Sequence, residues 1–271
     1  MSDAPLAIFD SGVGGLTVMA AIARRLPNEH LVYLGDTARL PYGTKSPETV
    51  TRYALQATRA MMRFQPKLIV VGCNTASAVA LPALAQAYAP IPVIGVVEPG
   101  ARAAVAASTS NVIAVIATEG TVRGGAYVRA IAALSREARV VQRACPLFVG
   151  LAEEGWTSGP VPELAASRYL ADIFGSFDRP DTLVLGCTHF PVLVGPIAKA
   201  AGEGVTLVDS AATTALEVER LLDDRGLRRN GRPQQPVFMG TDAPERFARV
   251  GSLFLGRAIA PAQVELVDLA P

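Results

Sequence analysis

Short apolar runs alternate with longer mixed segments along almost the whole chain. The apolar runs predict strands at residues 6–10, 31–35, 68–72, 93–97, 112–117, 140–144, 183–186 and 207–209. Each is a Val/Ile/Leu-rich stretch bounded by turn residues, which suits a strand covered on both faces. Between them, Ala-, Leu- and Arg-bearing stretches such as 16–26, 47–64 and 211–224 read as helices. This alternation predicts an α/β protein with mainly parallel sheets. No low-complexity segment or long linker interrupts it, and 226–235 is the most polar stretch.

The pattern also repeats itself. Pro66-Lys67-Leu68-Ile69-Val70-Val71-Gly72-Cys73-Asn74-Thr75 aligns without gaps to Pro180-Asp181-Thr182-Leu183-Val184-Leu185-Gly186-Cys187-Thr188-His189. Upstream, Leu6-Ala7-Ile8-Phe9-Asp10-Ser11-Gly12 has a weaker counterpart in Ala114-Val115-Ile116-Ala117-Thr118-Glu119-Gly120. Two buried Val/Leu runs resemble each other easily, but the shared proline and Gly-Cys pair favour duplication. The expected organisation is two pseudo-symmetric α/β domains with a cleft between them. Residues 1–97 with 210–271 form the first and 98–209 the second, and the first boundary falls near Glu98-Pro99-Gly100.

Composition narrows the class. Half of the 271 residues are hydrophobic, 18% are charged and the formal net charge is +1. This is an ordinary globular composition without the basic stripe of a nucleic-acid binder, so nucleic acid and membrane surfaces are not expected partners. The uncharged stretch between Lys67 and Glu98 contains Asn74, Thr75, Gln86 and three prolines, and it breaks into strand, helix and strand rather than a spanning helix. Three widely spaced cysteines and no evident signal peptide point to free thiols in a reducing cytoplasm.

Those thiols are the candidate chemistry. Ligands of open α/β sheets bind beyond the carboxyl ends of the strands, and Cys73 and Cys187 each follow a strand there. Two related units facing one another would present the thiols to one ligand from opposite sides. Racemisation at a carbon acid needs that arrangement, because one base removes the α proton while a conjugate acid protonates the other face. A thiol, with an ordinary pKa of about 8.5, serves in either form near neutrality. Asn74, Thr75 and Thr188 add donors and hydroxyls where helix starts favour a carboxylate. Asp10 is placed to orient or deprotonate Cys73, and His189 to do the same for Cys187.

With these residues in view, the chain resembles bacterial glutamate racemases of the aspartate/glutamate racemase family over nearly its whole length. The likeness rests on five blocks in family order: Phe9-Asp10-Ser11-Gly12-Val13-Gly14-Gly15-Leu16, Leu34-Gly35-Asp36-Thr37-Ala38-Arg39, Pro41-Tyr42-Gly43, Gly72-Cys73-Asn74-Thr75-Ala76 and Gly186-Cys187-Thr188-His189-Phe190-Pro191. The resemblance implies a site between two α/β domains, glutamate as substrate, no cofactor, a homodimer, and D-glutamate supply for peptidoglycan. It implies Cys73 as the base for D-glutamate and Cys187 for L-glutamate. Asp10, Ser11, Tyr42, Gly43, Asn74, Thr75, Thr188 and His189 fall in the family's substrate-contacting motifs, with Asp36 and Glu153 as accessory carboxylates. The chain departs from the family at Phe148-Val149-Gly150-Leu151-Ala152-Glu153 and at Gly240-Thr241-Asp242-Ala243-Pro244, which weakens the Glu153 assignment.

Blander readings stand beside these. Asp36 also suits a helix cap, Tyr42 a turn aromatic, Glu153 a solvated carboxylate and Cys145 a core thiol. No metal site is expected, because the chain has two histidines and no close Cys-x-x-Cys pair. The Gly12, Gly14 and Gly15 turn matches neither the P-loop nor the dinucleotide-binding fingerprint. Lys45, Lys67 and Lys199 are the available lysines, none with an accompanying pyridoxal phosphate motif. The rival functions are racemisation of aspartate and a noncatalytic regulatory role on the same fold.

Overall fold

Every residue of the first strand, β1 (Leu6–Asp10), is buried. Successive strand side chains point to opposite faces, so Leu6 and Ile8 enter one apolar layer while Ala7 and Phe9 enter another. In the computed structural model, which describes residues 3–269, nine further strands follow. They are β2 (Leu31–Gly35), β3 (Leu68–Val71), β4 (Val93–Gly95), β5 (Val112–Ala117), β6 (Arg139–Ala144), β7 (Thr182–Gly186), β8 (Thr206–Asp209), β9 (Val237–Gly240) and β10 (Val264–Leu266). The helices are α1 (Leu16–Arg25), α2 (Pro47–Met61), α3 (Asn74–Val79), α4 (Leu81–Ala87), α5 (Val97–Ala107), α6 (Glu119–Gly124), α7 (Ala126–Leu134), α8 (Leu147–Glu153), α9 (Pro160–Phe174), α10 (Val194–Ala201), α11 (Ser210–Asp224) and α12 (Pro244–Leu255).

The strands form two sheets, β10-β9-β2-β1-β3-β4 and β6-β5-β7-β8, and every pairing is parallel. The order β2-β1-β3-β4 of the first recurs as β6-β5-β7-β8 in the second. In each, the loops after the two central strands open on a topological switch point, where such sheets receive ligands. Cys73 follows β3 and Cys187 follows β7, so the thiols hold corresponding places. A single apolar cluster runs from Ile8, Tyr33 and Val70 of the first sheet to Ile116, Leu183 and Leu185 of the second, and α1 packs along α11. No helix among the described residues is long and apolar enough to cross a membrane.

Two strands are shorter than their apolar runs suggest. The run 93–97 stops as a strand at Gly95 because Val97 already opens α5, whose first turn holds Glu98, Pro99 and Gly100. Acidic residues and proline are both favoured in a first helical turn, and an apolar run by itself does not separate strand from buried helix. β3 likewise ends at Val71, before Gly72.

A buried ion pair closes the opposite, amino end of the first sheet. Lys67 Nζ lies 2.6 Å from Glu29 Oε2 and donates to the Leu227 carbonyl at 2.7 Å, while Glu29 Oε1 accepts from the Arg229 N–H at 2.8 Å. The cluster fastens the polar stretch after α11 to the turns preceding β2 and β3. Removing one partner of a buried pair strands the other charge. Lys67→Met is therefore expected to lower unfolding free energy by about 3–5 kcal/mol in urea titration. Adding Glu29→Gln to that variant recovers part of the loss.

Candidate active site

The first half of the site grows from the ends of β1 and β3. Asp10 closes β1, and its Oδ2 accepts from the Gly12 N–H at 3.0 Å, whereas its buried Oδ1 has no partner. Cys73 caps α3, its sulfur accepting from the Ala76 N–H at 3.4 Å and lying 3.5 Å from Ser11 Oγ. Ser11, rather than Asp10, is thus the side chain in contact with the thiol. Next to it, the Tyr127 hydroxyl donates to Asn74 Oδ1 at 2.8 Å, and the buried Asn74 Nδ2 is left unpaired. Buried polar atoms are almost always satisfied, so this corner holds one spare acceptor and one spare donor beside a thiol. Thr75, Thr118 and Thr121 complete it as a triangle of hydroxyls, with Thr75–Thr118 and Thr118–Thr121 both at 3.0 Å.

The second half grows from β7. Cys187 Sγ is 3.8 Å from His189 Nδ1, and His189 Nε2 is 3.1 Å from Glu153 Oε1 at the end of α8. The other Glu153 oxygen accepts from Arg246 Nη2 of α12 at 2.6 Å. Phe254, also on α12, meets the His189 ring edge-on with centroids 4.9 Å apart. The two halves touch directly. Thr17 donates to the Thr188 carbonyl at 3.0 Å, and a Cβ at Gly14 would lie 2.4 Å from the His189 ring. Only glycine permits that approach. The same holds at Gly43, where a Cβ would meet Thr118 at 2.9 Å.

Tyr42 and Asp36 stand one layer back. The buried Asp36 carboxylate accepts from Tyr42, from Arg39 Nε at 2.7 Å and from Thr241 Oγ1 at 2.9 Å. It therefore fixes the Tyr42–Thr44 turn to the residue that follows β9 rather than capping a helix. Glu153 is no solvated carboxylate, since its side chain is 12% exposed and engaged on both oxygens. Cys145 is buried, its thiol directed to the Arg143 carbonyl at 3.8 Å.

Electrostatics makes the two thiols unequal. Burial, reinforced by the nearby Asp10 carboxylate, pushes Cys73 up to about 12 against the weaker pull of Ser11 and the Ala76 N–H. The charge of Cys187 also registers at Cys73, so the sulfurs share one electrostatic neighbourhood. Burial alone would depress His189, but its bonds to Cys187 and Glu153 outweigh it and carry the imidazole up to about 10. Glu153 is held below its ordinary value because His189 and Arg246 overcome its burial. Asp10 is raised, as burial exceeds the help of the His189 charge and the Gly15, Gly12 and Ser11 N–H groups. The site therefore pairs a neutral thiol beside a carboxylate with a sulfur beside an imidazolium.

Among the described residues no group of three His, Cys, Asp or Glu side chains is placed to hold a metal ion. Lys67 and Lys199 are engaged by Glu29 and Glu163. Four polar participants escaped the sequence reading: Thr118, Thr121, Tyr127 and Arg246. Thr118 had a signal, since it aligns with Asp10 in the internal repeat. The others had none: Tyr127 and Arg246 meet partners remote in sequence, and Thr121 takes part through Thr75, 46 positions away.

A profile of the Asp/Glu/Hydantoin racemase family matches residues 12–218. A glutamate racemase of Geobacter metallireducens is 52% identical over 254 residues, covering 93% of this chain and 92% of that protein. Among solved structures, a glutamate racemase isoform from Bacillus anthracis superposes with a TM-score of 0.94 at 36% identity, covering 99% of both chains. A glutamate racemase from Francisella tularensis in complex with D-glutamate gives 0.91 at 34% identity, again covering 99% of both.

The charge asymmetry has a direct readout. In a variant lacking Cys145 and Cys187, ultraviolet thiolate absorbance, taken as the difference from a variant that also lacks Cys73 so that the tyrosines cancel, reports Cys73 alone and is expected to titrate near pH 12. Asp10→Asn removes a negative neighbour and shifts that titration to lower pH. A Cys73 midpoint indifferent to Asp10 would show that the carboxylate does not set it.

Proposed function

This chain belongs to the Asp/Glu/Hydantoin racemase family and is a glutamate racemase by sequence and by fold, and from that premise we propose how its two thiols exchange the α proton. The observation that carries the reading is the pair of buried sulfurs, Cys73 and Cys187, at corresponding strand ends of two sheets that share one strand order. Cys187, as thiolate beside the His189 imidazolium, removes the α proton of L-glutamate. The Cys73 thiol, kept protonated by burial and by Asp10, delivers its proton to the opposite face and gives D-glutamate. Cys73 is then the thiolate, and the roles reverse for the D enantiomer.

The spare polar atoms suit the substrate. The Asp10 Oδ1 acceptor matches an ammonium group, and the Asn74 Nδ2 donor matches a carboxylate oxygen. Hydroxyls of Ser11, Thr75 and Thr188 and the backbone of Tyr42 and Gly43 supply further donors for the two carboxylates. These donors matter most when the α carbon loses its proton, because negative charge then spreads into the adjacent carboxylate and is stabilised by dipoles already in place. Asp36 acts through Tyr42, and Glu153 through His189.

The wider reading follows the same premise. The enzyme acts in the cytoplasm, without a cofactor, and provides D-glutamate for peptidoglycan. Residues 1–97 with 210–271 form one domain and 98–209 the other. A homodimer is supported by exposed Leu147, Trp156, Val161 and Leu164, all on α8, α9 or the turn between them.

The test is turnover of L-glutamate in deuterated water without added cofactor, following optical rotation and α-deuterium. Wild-type protein is expected to racemise and incorporate deuterium. Cys73→Ser and Cys187→Ser each lower kcat by about 10²–10⁴-fold, the usual worth of a positioned acid or base. Near-normal racemisation by either folded variant would sink the two-thiol mechanism.

A further inference from the structure

Helix α12 lies between β9 and β10 of the first sheet, yet it reaches the acid/base residues of the second. It does so twice. Arg246 Nη2 donates to Glu153 Oε2 at 2.6 Å, and the Phe254 ring rests against His189. A chain of contacts therefore runs Arg246–Glu153–His189–Cys187, with steps of 2.6, 3.1 and 3.8 Å. Exposure falls along it, from 44% at the Arg246 side chain to 12% at Glu153 and 8% at His189. The groups around His189 are few. Cys187 comes from the end of β7, Glu153 from α8 and Phe254 from α12, Asp10 adds its charge from β1, and the Gly14 turn closes the remaining side.

Glu153 is the last residue of α8, and its carboxylate is free to rotate unless both oxygens are held. His189 engages one oxygen. Without a second partner the group would exchange between His189 and water, and the imidazole would lose the bond that directs Nδ1 toward the sulfur. We infer that Arg246 is a positioning residue for proton transfer at Cys187. It holds the Glu153 carboxylate in register so that Glu153 in turn holds the His189 ring against the thiol. Arg246 touches neither the sulfur nor the expected substrate position, so its effect belongs to one thiol and not to the other. Cys73 has its own, separate partners in Ser11 and the Ala76 N–H. The inference rests on the two-thiol reading above, with Cys187 serving L-glutamate.

The asymmetry makes it testable. The two enantiomers have equal free energy, so any variant must change kcat/KM equally in both directions, and rate alone does not locate the lesion. Primary isotope effects do. In Arg246→Met, which keeps much of the apolar stem, kcat/KM is expected to fall roughly 10-fold, as for other outer-shell orienting groups. The proton-abstraction step at Cys187 becomes more rate-limiting. The isotope effect on kcat/KM with α-deuterated L-glutamate therefore rises, while that with α-deuterated D-glutamate falls toward unity. Arg246→Lys, which retains a cation for Glu153, restores most of the rate and the wild-type isotope effects.

A merely structural role for Arg246 predicts something else. Isotope effects that stay unchanged, or move together for both enantiomers, would overturn the inference. So would a full wild-type rate in Arg246→Met. Should Arg246→Met fold poorly, Arg246→Gln removes the charge at the same position while keeping a polar side chain, and the same L-specific rise is required of it. A rise confined to D-glutamate would retain the positioning role and overturn the assignment of Cys187 to L-glutamate. Absence of racemisation by the wild-type protein would overturn the underlying reading itself.

Discussion

A single group does not take a proton from one face of a carbon and return it to the other. The proposed reaction therefore needs two acid/base groups held across one small space, in opposite protonation states. The fold meets the first half of that constraint by repetition. The strand order 2-1-3-4 of one sheet recurs in the other, and in each copy a Gly-Cys pair stands at the carboxyl end of the third strand. It meets the second half by breaking the repetition. Asp10, Ser11 and Asn74 surround one sulfur, whereas Thr118, the repeat counterpart of Asp10, carries no charge, and His189 stands beside the other sulfur.

That broken symmetry is electrostatic in origin. Both thiols are almost fully buried, but their neighbours carry opposite charge. A carboxylate near Cys73 adds to the penalty of burial. An imidazole near Cys187 stays cationic because its bonds to Cys187 and Glu153 outweigh its burial, and Glu153 stays anionic because His189 and Arg246 support it. Charge thus alternates in sign from the His189 imidazolium through Glu153 to a half-exposed guanidinium. In a medium of low effective dielectric each link matters more than it would in water.

Close approach of the two halves is built from small residues and hydroxyls rather than from large apolar contacts. Gly14 gives way to His189, Gly43 gives way to Thr118, and Thr75, Thr118 and Thr121 share protons across the junction. A hydroxyl cluster of this kind is rearranged more easily than an apolar interface, because each hydroxyl rotates to suit its neighbours. The core beneath is the opposite: one continuous apolar layer that joins both sheets through α1 and α11.

The sequence by itself determined the strands β1 to β8, their parallel arrangement and the two Gly-Cys corners, because continuous Val/Ile/Leu runs and an ungapped internal repeat are local patterns; the short β9 and β10 were not among the predicted runs. It also marked Asp10, Ser11, Asn74, Thr75, Thr188 and His189, all within two residues of a strand end or a cysteine. Local pattern was weaker at boundaries, where Val96 and Val97 cap and open helix α5 instead of extending strand β4. Only the tertiary structure decided what Asp36, Glu153 and Arg246 do. Asp36 meets Thr241 across 205 positions, Glu153 meets His189 across 36, and Arg246 meets Glu153 across 93. A charged side chain on a helix is ordinary in sequence. Its meaning depends on which buried group stands opposite, and that is fixed only when α12 packs back so that Arg246 meets Glu153 and Phe254 meets His189.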